Sequence, residues 1–443
     1  MGARMLPVVA IVGKPNVGKS TLFNRLTASR AALVSDLPGM TRDRQYGQAR
    51  FDQLHFIIID TGGMSDSSEE LNQLITKQAL QAIREADKVL FVVDGRHGLT
   101  AEDQAIVDKI RPLQKPLFLV VNKTEGQVAA LAASDFYRLG LGTPYPIAAA
   151  HGQGISSLLE AVFPAAEQRA FALAEAKEGE DKSIRLALVG KPNTGKSTLT
   201  NRLLGEERVI VNNSPGTTRD SIFIPMERYG KHYILIDTAG IRRRKNITEV
   251  TEKFSLVKTL QAIETTQVVL FVIDGREGIT EQDLRLLGFV LESGKSLVIA
   301  INKWDNMNEE DKEHTRESIA RRLHFLSAVR IEYISALHGT GVGKLWGYVD
   351  EAYESANKKL STSYLTQLLE QAIEAYTPPL VHGRRIKLRY AHAGGHNPPI
   401  IVIHGSGAKD LPESYKRYLA GYYQKRLELV GTPVQIKMKE AIR

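Results

Sequence analysis

The chain has 443 residues, of which 43% are hydrophobic and 24% are charged, and this composition excludes a disordered or fibrous protein. Cysteine is absent, which excludes disulfide frameworks, thiolate metal sites and cysteine nucleophiles. No run of about 18 apolar residues occurs, so we expect no membrane span and a cytoplasmic protein. The length predicts about three domains.

The excess positive charge lies at one end of the chain. The net charge is +8, from 58 Lys and Arg and 50 Asp and Glu. Residues 358–443 hold 14 basic and 6 acidic residues, which accounts for the whole +8, and residues 1–357 hold 44 of each sign. A basic terminal segment on a neutral body is typical of nucleic-acid binding and less often of binding to an anionic membrane. A solvated basic face without a partner is the alternative.

A long internal repeat organises the rest of the chain. Residues 13–26 read GKPNVGKSTLFNRL and residues 190–203 read GKPNTGKSTLTNRL, at an offset of 177. The same offset relates the Thr-Arg-Asp of residues 41–43 to that of residues 218–220. A period of this length indicates a duplicated domain rather than a solenoid.

Each copy alternates short apolar runs with helical patterns, which predicts a mostly parallel sheet with helices on both faces. The runs lack polar alternation, as expected of strands that are buried on both faces. The predicted strands are Val8–Val12, Phe56–Ile59, Val89–Val93 and Leu117–Val121, and then Leu186–Val189, Tyr233–Ile236, Val268–Ile273 and Leu297–Ile301.

These patterns predict four segments. Residues 1–166 and 184–357 form the two repeated domains, residues 167–183 form an acidic linker, and residues 358–443 form a small basic domain. The last segment has an α-β-β-α-β order, which implies a small sheet backed by helices. Its predicted elements are the helix Tyr364–Tyr376, the strands Arg384–Tyr390 and Ile400–His404, the helix Ser414–Leu429 and the strand Val434–Met438.

A Gly-x-x-x-x-Gly-Lys-Ser motif follows the first strand of each copy and precedes a helix, which is the setting of a phosphate-binding loop. Backbone N–H groups and the helix N-terminus converge there on phosphate oxygens. We expect Lys19 and Lys196 to contact the β- and γ-phosphates, and the hydroxyls of Ser20 and Ser197 to ligate Mg²⁺. The predicted nucleotide contacts are Gly13, Lys14, Pro15, Asn16, Val17, Gly18, Lys19, Ser20 and Thr21, and Gly190, Lys191, Pro192, Asn193, Thr194, Gly195, Lys196, Ser197 and Thr198.

The Asn-Lys-x-Asp motif of Asn302, Lys303 and Asp305 predicts that the bound base is guanine. A carboxylate accepts from the ring N–H and the 2-amino group of guanine together, and adenine offers neither donor there. A backbone N–H of Ser335 or Ala336 can meet the guanine oxygen. The first copy keeps Asn122 and Lys123 but has Glu125 in place of the aspartate and Ala148-Ala149 in place of Ser335-Ala336.

Two further motifs point to Mg²⁺ and to nucleotide-dependent loops. Asp60 and Asp237 end hydrophobic strands, where a carboxylate orients Mg²⁺. Thr41 and Thr218 lie in loops that can close over the metal and the γ-phosphate. The residues next to the aspartates complete the predicted phosphate contacts: Thr61, Gly62 and Gly63, and Thr238, Ala239 and Gly240.

No glutamine follows these motifs to orient the attacking water, because Met64 and Ile241 occupy the position. An amide oxygen of Asn16 or Asn193 can instead hold a monovalent cation beside the phosphates and neutralise charge in the transition state. The basic run at residues 242–245 is an alternative source of charge, as internal arginine fingers, or a contact with RNA.

On these motifs the whole chain resembles the Der family, also called EngA, of bacterial tandem GTPases. The residues that carry the resemblance are the paired GKPNxGKS loops, residues 215–220 (PGTTRD), residues 237–244 (DTAGIRRR) and the basic tail with Asn397-Pro398-Pro399. The resemblance implies two P-loop GTPase domains and a KH-like third domain. It also implies GTP hydrolysis stimulated by K⁺, and maturation of the large ribosomal subunit through binding of ribosomal RNA.

The chain departs from the family pattern in two places. Glu125 carries one extra methylene, so we expect weaker guanine binding at the first site. Residues 358–443 contain no Gly-x-x-Gly, the KH clamp on single strands. We expect a monomer. A nucleotide-gated protein scaffold with negligible turnover and a GTPase that assists tRNA modification are the alternative functions.

Overall fold

The structure is a computed structural model that describes residues 5–27, 45–52, 54–62, 79–126, 133–180, 183–205, 209–211, 223–236, 256–381 and 384–440. The chain divides into two compact units: the first is Ala3–Asp181, and the second is Lys182–Arg443 together with Met1–Gly2. In the described ranges no helix is both long enough and apolar enough to cross a membrane.

The first unit is built on a six-stranded sheet in the order β2-β3-β1-β4-β5-β6, in which β2 alone runs antiparallel to its neighbour. The strands are β1 Val8–Val12, β2 Gln45–Phe51, β3 Leu54–Asp60, β4 Lys88–Asp94, β5 Leu117–Asn122 and β6 Tyr145–Pro146. The helices are α1 Lys19–Thr27, α2 Ala101–Ile110, α3 Ile155–Val162 and α4 Ala165–Glu180, and residues 79–85 are also helical.

All four apolar runs predicted for this copy form strands, and each central strand is buried along nearly its whole length. Strand β2 was not predicted. Its sequence, QYGQARF, carries glutamines and a glycine and lacks an apolar run, because it lies at the edge of the sheet.

The segment predicted as a linker is different in the structure. Helix α4 occupies most of residues 167–183, and its first turns belong to the first unit. The ammonium of Lys88 lies 2.6 Å from the carboxylate of Glu167, and Phe171 packs against the hydrophobic core of the first unit. The prediction of an acidic linker over residues 167–183, made from the charged composition, did not include these two contacts.

The second unit contains a seven-stranded sheet in the order β13-β12-β11-β7-β10-β9-β8, with the same parallel centre and antiparallel edge. Its strands are β7 Ile184–Val189, β8 Val209–Val211, β9 Phe223–Arg228, β10 Lys231–Ile236, β11 Val268–Asp274, β12 Ser296–Asn302 and β13 Arg330–Tyr333. The helices are α5 Lys196–Leu204, α6 Leu256–Thr265, α7 Glu281–Glu292, α8 Glu309–Arg322 and α9 Val342–Ala356.

The C-terminal region forms a three-stranded sheet in the order β16-β17-β18 with helices packed on one face. Strand β16 is antiparallel to β17, and β18 is parallel to it, so this sheet and its helices follow the predicted α-β-β-α-β order. The elements are α10 Thr362–Ala375, β14 Leu380–Val381, β15 Arg384–Arg385, β16 Lys387–Gly395, β17 Ile400–Ser406, α11 Glu413–Arg426 and β18 Gln435–Glu440. The strand predicted over Arg384–Tyr390 is divided between β15, which pairs with β14 in a separate two-stranded sheet, and the start of β16.

This small domain is hydrogen-bonded to the second repeated domain through its backbone. The carbonyl of Gly431 accepts from the N–H of Leu297 at 2.6 Å, and the N–H of Gly431 donates to the carbonyl of Ala328 at 2.7 Å. The N–H of Asn397 donates to the carbonyl of Ala356 at 2.9 Å. The small domain therefore contacts the amino end of β12, and Asn302 lies at the opposite end of that strand.

Candidate nucleotide-binding sites

The two predicted phosphate loops lie between a buried strand and a helix, β1 and α1 in the first copy and β7 and α5 in the second. Glycine is required at the end of each loop, because a Cβ at Gly18 or Gly195 would collide with the side-chain amide of the Asn-Lys-x-Asp motif. Asn16 and Asn193 adopt positive φ angles of 65° and 63°. The two loops therefore share one backbone conformation.

The lysines of the two phosphate loops are buried and donate to backbone carbonyls of their own loops. Lys19 is 6% exposed, and its ammonium donates to the carbonyl of Lys14 at 2.5 Å; Lys196 makes the same bond to Lys191. Burial lowers the pKa of Lys19 to about 8, and the charge of Asp60 opposes this shift. A phosphate group would supply the counter-charge that the buried ammonium needs.

The second residue of each loop anchors the loop to a neighbouring helix. The ammonium of Lys14 donates to the hydroxyl of Thr100 at 2.7 Å and lies 3.1 Å from the carboxylate of Asp103, in the capping box of α2. Lys191 lies 3.3 Å from Asp283 in the capping box of α7 and 2.9 Å from Glu277. Each loop is thus tied to its helix by an ion pair with a buried aspartate.

The predicted Mg²⁺ ligands of the first site are brought together. The hydroxyl of Ser20 donates to a carboxylate oxygen of Asp60 at 2.8 Å, and the other oxygen of Asp60 accepts from the N–H of Gly62. One hydroxyl and one carboxylate suit Mg²⁺, which takes few protein ligands and completes its shell with phosphate and water. The hydroxyl and the backbone N–H of Thr61 both donate to the carbonyl of Ile11, at 2.8 and 3.3 Å.

The motif asparagines connect the base site to the phosphate loop. The amide of Asn302 donates to the carbonyl of Thr194 at 2.8 Å, and that of Asn122 donates to Val17 at 2.9 Å. The lysines that follow, Lys123 and Lys303, donate to the carbonyls of Asn16 and Asn193 at 2.7 and 2.6 Å. Both contacts fix the base loop relative to the phosphates.

The base-reading carboxylates have different surroundings in the two copies. A hydrogen bond from the hydroxyl of Ser335, together with His338 and Arg276 nearby, keeps the pKa of Asp305 below its ordinary value. Glu125 has no such hydroxyl, because Ala148 replaces the serine, and it is bonded instead to the guanidinium of Arg96. The first site therefore offers guanine a carboxylate already shared with an arginine.

The backbone N–H groups that were predicted to meet the guanine oxygen are already hydrogen-bonded within the protein. The N–H of Ala336 donates to the side-chain oxygen of Asn302 at 2.9 Å, and that of Ser335 donates to Thr340. In the first copy Ala149 donates to Asn122 at 3.0 Å. The predicted contact with the guanine oxygen would require one of these N–H groups to leave or share its acceptor.

Several predicted residues lie outside the described part of the chain. In the first copy these are Thr41, Gly63 and Met64. In the second copy they are Thr218, Asp237, Thr238, Ala239, Gly240, Ile241 and the basic run 242–245. Thr21 and Thr198, on the first turns of α1 and α5, are exposed.

Family comparisons identify this arrangement. A family model described as "50S ribosome-binding GTPase" matches residues 8–123 and 185–303, and one described as "KH-domain-like of EngA bacterial GTPase enzymes, C-terminal" matches residues 359–439. Proteins named GTPase Der from Cronobacter sakazakii and Alteromonas mediterranea are 55% and 56% identical, over 98% of this chain and 94% of theirs. GTPase Der of Vibrio cholerae is 54% identical over 99% of this chain and 94% of its own.

The chain belongs to the Der family of GTPases. The predicted fold class of two GTPase domains and a KH-like domain is confirmed, and the protein is a GTPase that binds guanine nucleotide. Members of this family typically bind the nucleotide with Mg²⁺, which neutralises charge on the phosphates. The buried ammonium groups of Lys19 and Lys196 would add positive charge beside the phosphates of such a nucleotide.

Sequence reasoning missed the residues that brace the base loop. Asp94 accepts from the ammonium of Lys123 at 2.7 Å, and Asp274 accepts from Lys303 at 2.5 Å. Burial raises the pKa of Asp274, but hydrogen bonds from Arg276 and Lys303 lower it on balance. The signal was present in the sequence, because Asp-Gly-Arg recurs in both copies at an offset of 180.

Proposed function

We propose that this Der-family GTPase acts in the cytoplasm as a monomer in maturation of the large ribosomal subunit. Its basic KH-like domain binds ribosomal RNA, and the nucleotide in the two GTPase domains controls that binding. The observation that carries the proposal is the charge distribution, because residues 358–443 hold the entire net charge of +8. The printed description of the matching family model, a 50S ribosome-binding GTPase, supports the same partner.

The test of this role is depletion of the protein followed by sedimentation of ribosomal particles. Precursors of the large subunit should accumulate, and the full chain should restore the normal profile. Association with particles should weaken steeply with salt, because phosphate contacts release counterions. An unchanged particle profile after depletion would overturn the role. Light scattering of the purified chain tests the monomer.

We further propose that K⁺ stimulates hydrolysis through Asn16 and Asn193. Both side chains are exposed in their loops, and neither amide is hydrogen-bonded to another residue in the described ranges. Their backbone carbonyls are already engaged by Lys123 and Lys303, so the amide oxygens remain as ligands for a cation. Such a cation would add positive charge beside the phosphates, where no glutamine orients the water.

Hydrolysis measured in K⁺ should exceed hydrolysis in Na⁺ at the same ionic strength. Asn16→Ala combined with Asn193→Ala should remove this difference and leave the rate in Na⁺ unchanged. The loss of one charge-stabilising group costs about 10²–10³ in rate, which is easily measured. Equal wild-type rates in the two salts would contradict the proposal.

A further inference from the structure

The KH-like domain carries three aromatic rings on the face of its sheet that is turned away from its helices. Ala391, Ile401 and Ile403 point into the domain core. The residues between them in the strands, with their partners in register, therefore point outward. We call this the outer sheet face, and its members are Tyr390, His392, Val402, His404, Lys437 and Lys439.

Two of the three rings are stacked face to face, and the third lies beside them. Tyr390 and His404 are partners in the strand register, and their rings are nearly parallel, 7° apart with centroids at 4.5 Å. The ring of His392 follows at 5.1 Å from that of His404. Tyr390 is 42% exposed, so its ring is accessible to a further flat group.

The presence of His392 and His404 on this face is not explained by a contribution to the stability of the domain. Nδ1 of His392 and Nε2 of His404 are buried and have no hydrogen-bond partner in the part of the chain that the structure describes. Such atoms cost free energy, which a purely structural cluster of apolar residues would avoid. Burial, with His392 and Lys439 nearby, also lowers the pKa of His404. Its ring is therefore a neutral, stacking group at neutral pH.

The charges on the same face have one sign. Lys437 is the register partner of Val402, Lys439 is the partner of His404, and both lysines are exposed. No Asp or Glu occupies an outward position of β16, β17 or β18. Glu440 belongs to the opposite parity and accepts a hydrogen bond from the N–H of Gly407. A ligand with flat rings and negative charge fits this surface.

We propose that the outer sheet face binds single-stranded RNA, with a base stacked on Tyr390 and phosphates contacted by Lys437 and Lys439. Every base has a flat ring face, so such a platform binds single strands with little sequence preference. The chain lacks the Gly-x-x-Gly clamp, and this face supplies a different way to hold a strand. The inference rests on the RNA-binding role proposed above and assigns a site to it.

The first experiment measures binding of a labelled, unstructured RNA 12-mer to the full chain by fluorescence anisotropy, with GDP bound. Tyr390→Ala should weaken binding about 5- to 150-fold, the loss of one stacked base, and Tyr390→Phe should restore it. The matched control is Tyr364→Ala on α10, since Tyr364 is 44% exposed in the same domain. This control should bind as the wild type does. An unchanged circular dichroism spectrum and unchanged thermal unfolding show that each variant is folded.

The second experiment measures the salt dependence of the same binding. Lys437→Gln with Lys439→Gln should reduce the slope of log affinity against log salt by about 1.4, because each phosphate contact on a single strand contributes about 0.7. Tyr390→Ala should leave the slope unchanged. Substitutions are preferable to removal of the domain, because Gly431 is bonded to Leu297 and Ala328 of the second GTPase domain.

Equal affinities of Tyr390→Ala and Tyr364→Ala for the RNA would overturn the platform, as would an unchanged slope in the lysine variant. In either case, wild-type sedimentation with ribosomal particles would leave the proposed function standing. If Tyr390→Ala released the chain from particles without changing RNA affinity, the face would contact protein and the inference would be wrong. A wild-type chain that binds neither RNA nor particles would overturn both proposals.

Discussion

Arg96 donates a hydrogen bond to Glu125, whereas its counterpart in the second copy, Arg276, bonds Asp274 through both its Nε and its Nη2. In the first copy the longer side chain of Glu125 reaches Arg96. In the second copy the shorter Asp305 does not bond Arg276, which bonds Asp274 instead. Ala148 in place of Ser335 removes the hydroxyl that would otherwise hold the carboxylate. The two substitutions in the first copy therefore act together on one carboxylate.

Glu125→Asp should tighten GDP binding at the first site. The shorter side chain releases Arg96 and restores the geometry with which a carboxylate accepts two bonds from guanine. The expected gain is about 1–2 kcal/mol, since a hydrogen bond to a charged group is worth about 1.5–3 kcal/mol. The measurement is GDP titration of a chain whose second site is disabled by Lys196→Ala. An unchanged affinity would show that the loop already seats the glutamate productively.

Asp305→Asn should weaken GDP binding at the second site and admit xanthine nucleotides. The amide donates where the carboxylate accepted, and the extra oxygen of xanthine is an acceptor at that position. The titration uses a chain whose first site is disabled by Lys19→Ala and compares GDP with XDP. Retention of the wild-type preference for GDP would mean that Asp305 does not read the base.

Asp103→Ala should destabilise the first GTPase domain more than Asp283→Ala destabilises the second. Asp103 is 1% exposed, and its loss leaves the ammonium of Lys14 without a carboxylate, at a cost of about 3–5 kcal/mol. Lys191 keeps Glu277 at 2.9 Å when Asp283 is removed. Native-state hydrogen exchange resolves the two domains separately.

The control for that comparison is Asp108→Ala, which removes an exposed carboxylate from the same helix, α2. It should change the opening free energy of the domain by less than about 0.5 kcal/mol. Equal effects of Asp103→Ala and Asp108→Ala would show that the ion pair with Lys14 does not anchor the loop.

GDP binding at the first site should weaken as the pH rises above 8. The pKa of Lys19 is about 8 in the free protein, and the phosphates raise it, so binding takes up a proton above that pH. Affinity is fully present below pH 8 and falls by about tenfold per unit above it, until the pKa of the bound state is reached. Titration of the Lys196→Ala chain between pH 7 and 10 checks this. A flat profile over the range in which the chain stays folded would contradict it.

The sequence by itself determined the duplicated domain, the central strands and the nucleotide motifs. The strands and motifs can be recognised from short stretches of sequence. An apolar run such as Val8–Val12 predicts a buried strand, and the spacing from Gly13 to Ser20 defines a phosphate loop. The edge strand β2 escaped prediction because it has no apolar run, and α4 did so because its charged composition concealed the packing of Phe171.

Only the tertiary structure decided which distant side chains meet. The pairing of Lys14 with Asp103, the capture of Glu125 by Arg96 and the stack of Tyr390 on His404 each join residues from separate elements. No local period encodes such contacts, because they depend on strand order and register, which arise when the sheets assemble. The attachment of the KH-like domain through Gly431 has the same origin, since its partners are backbone groups that any residue type supplies.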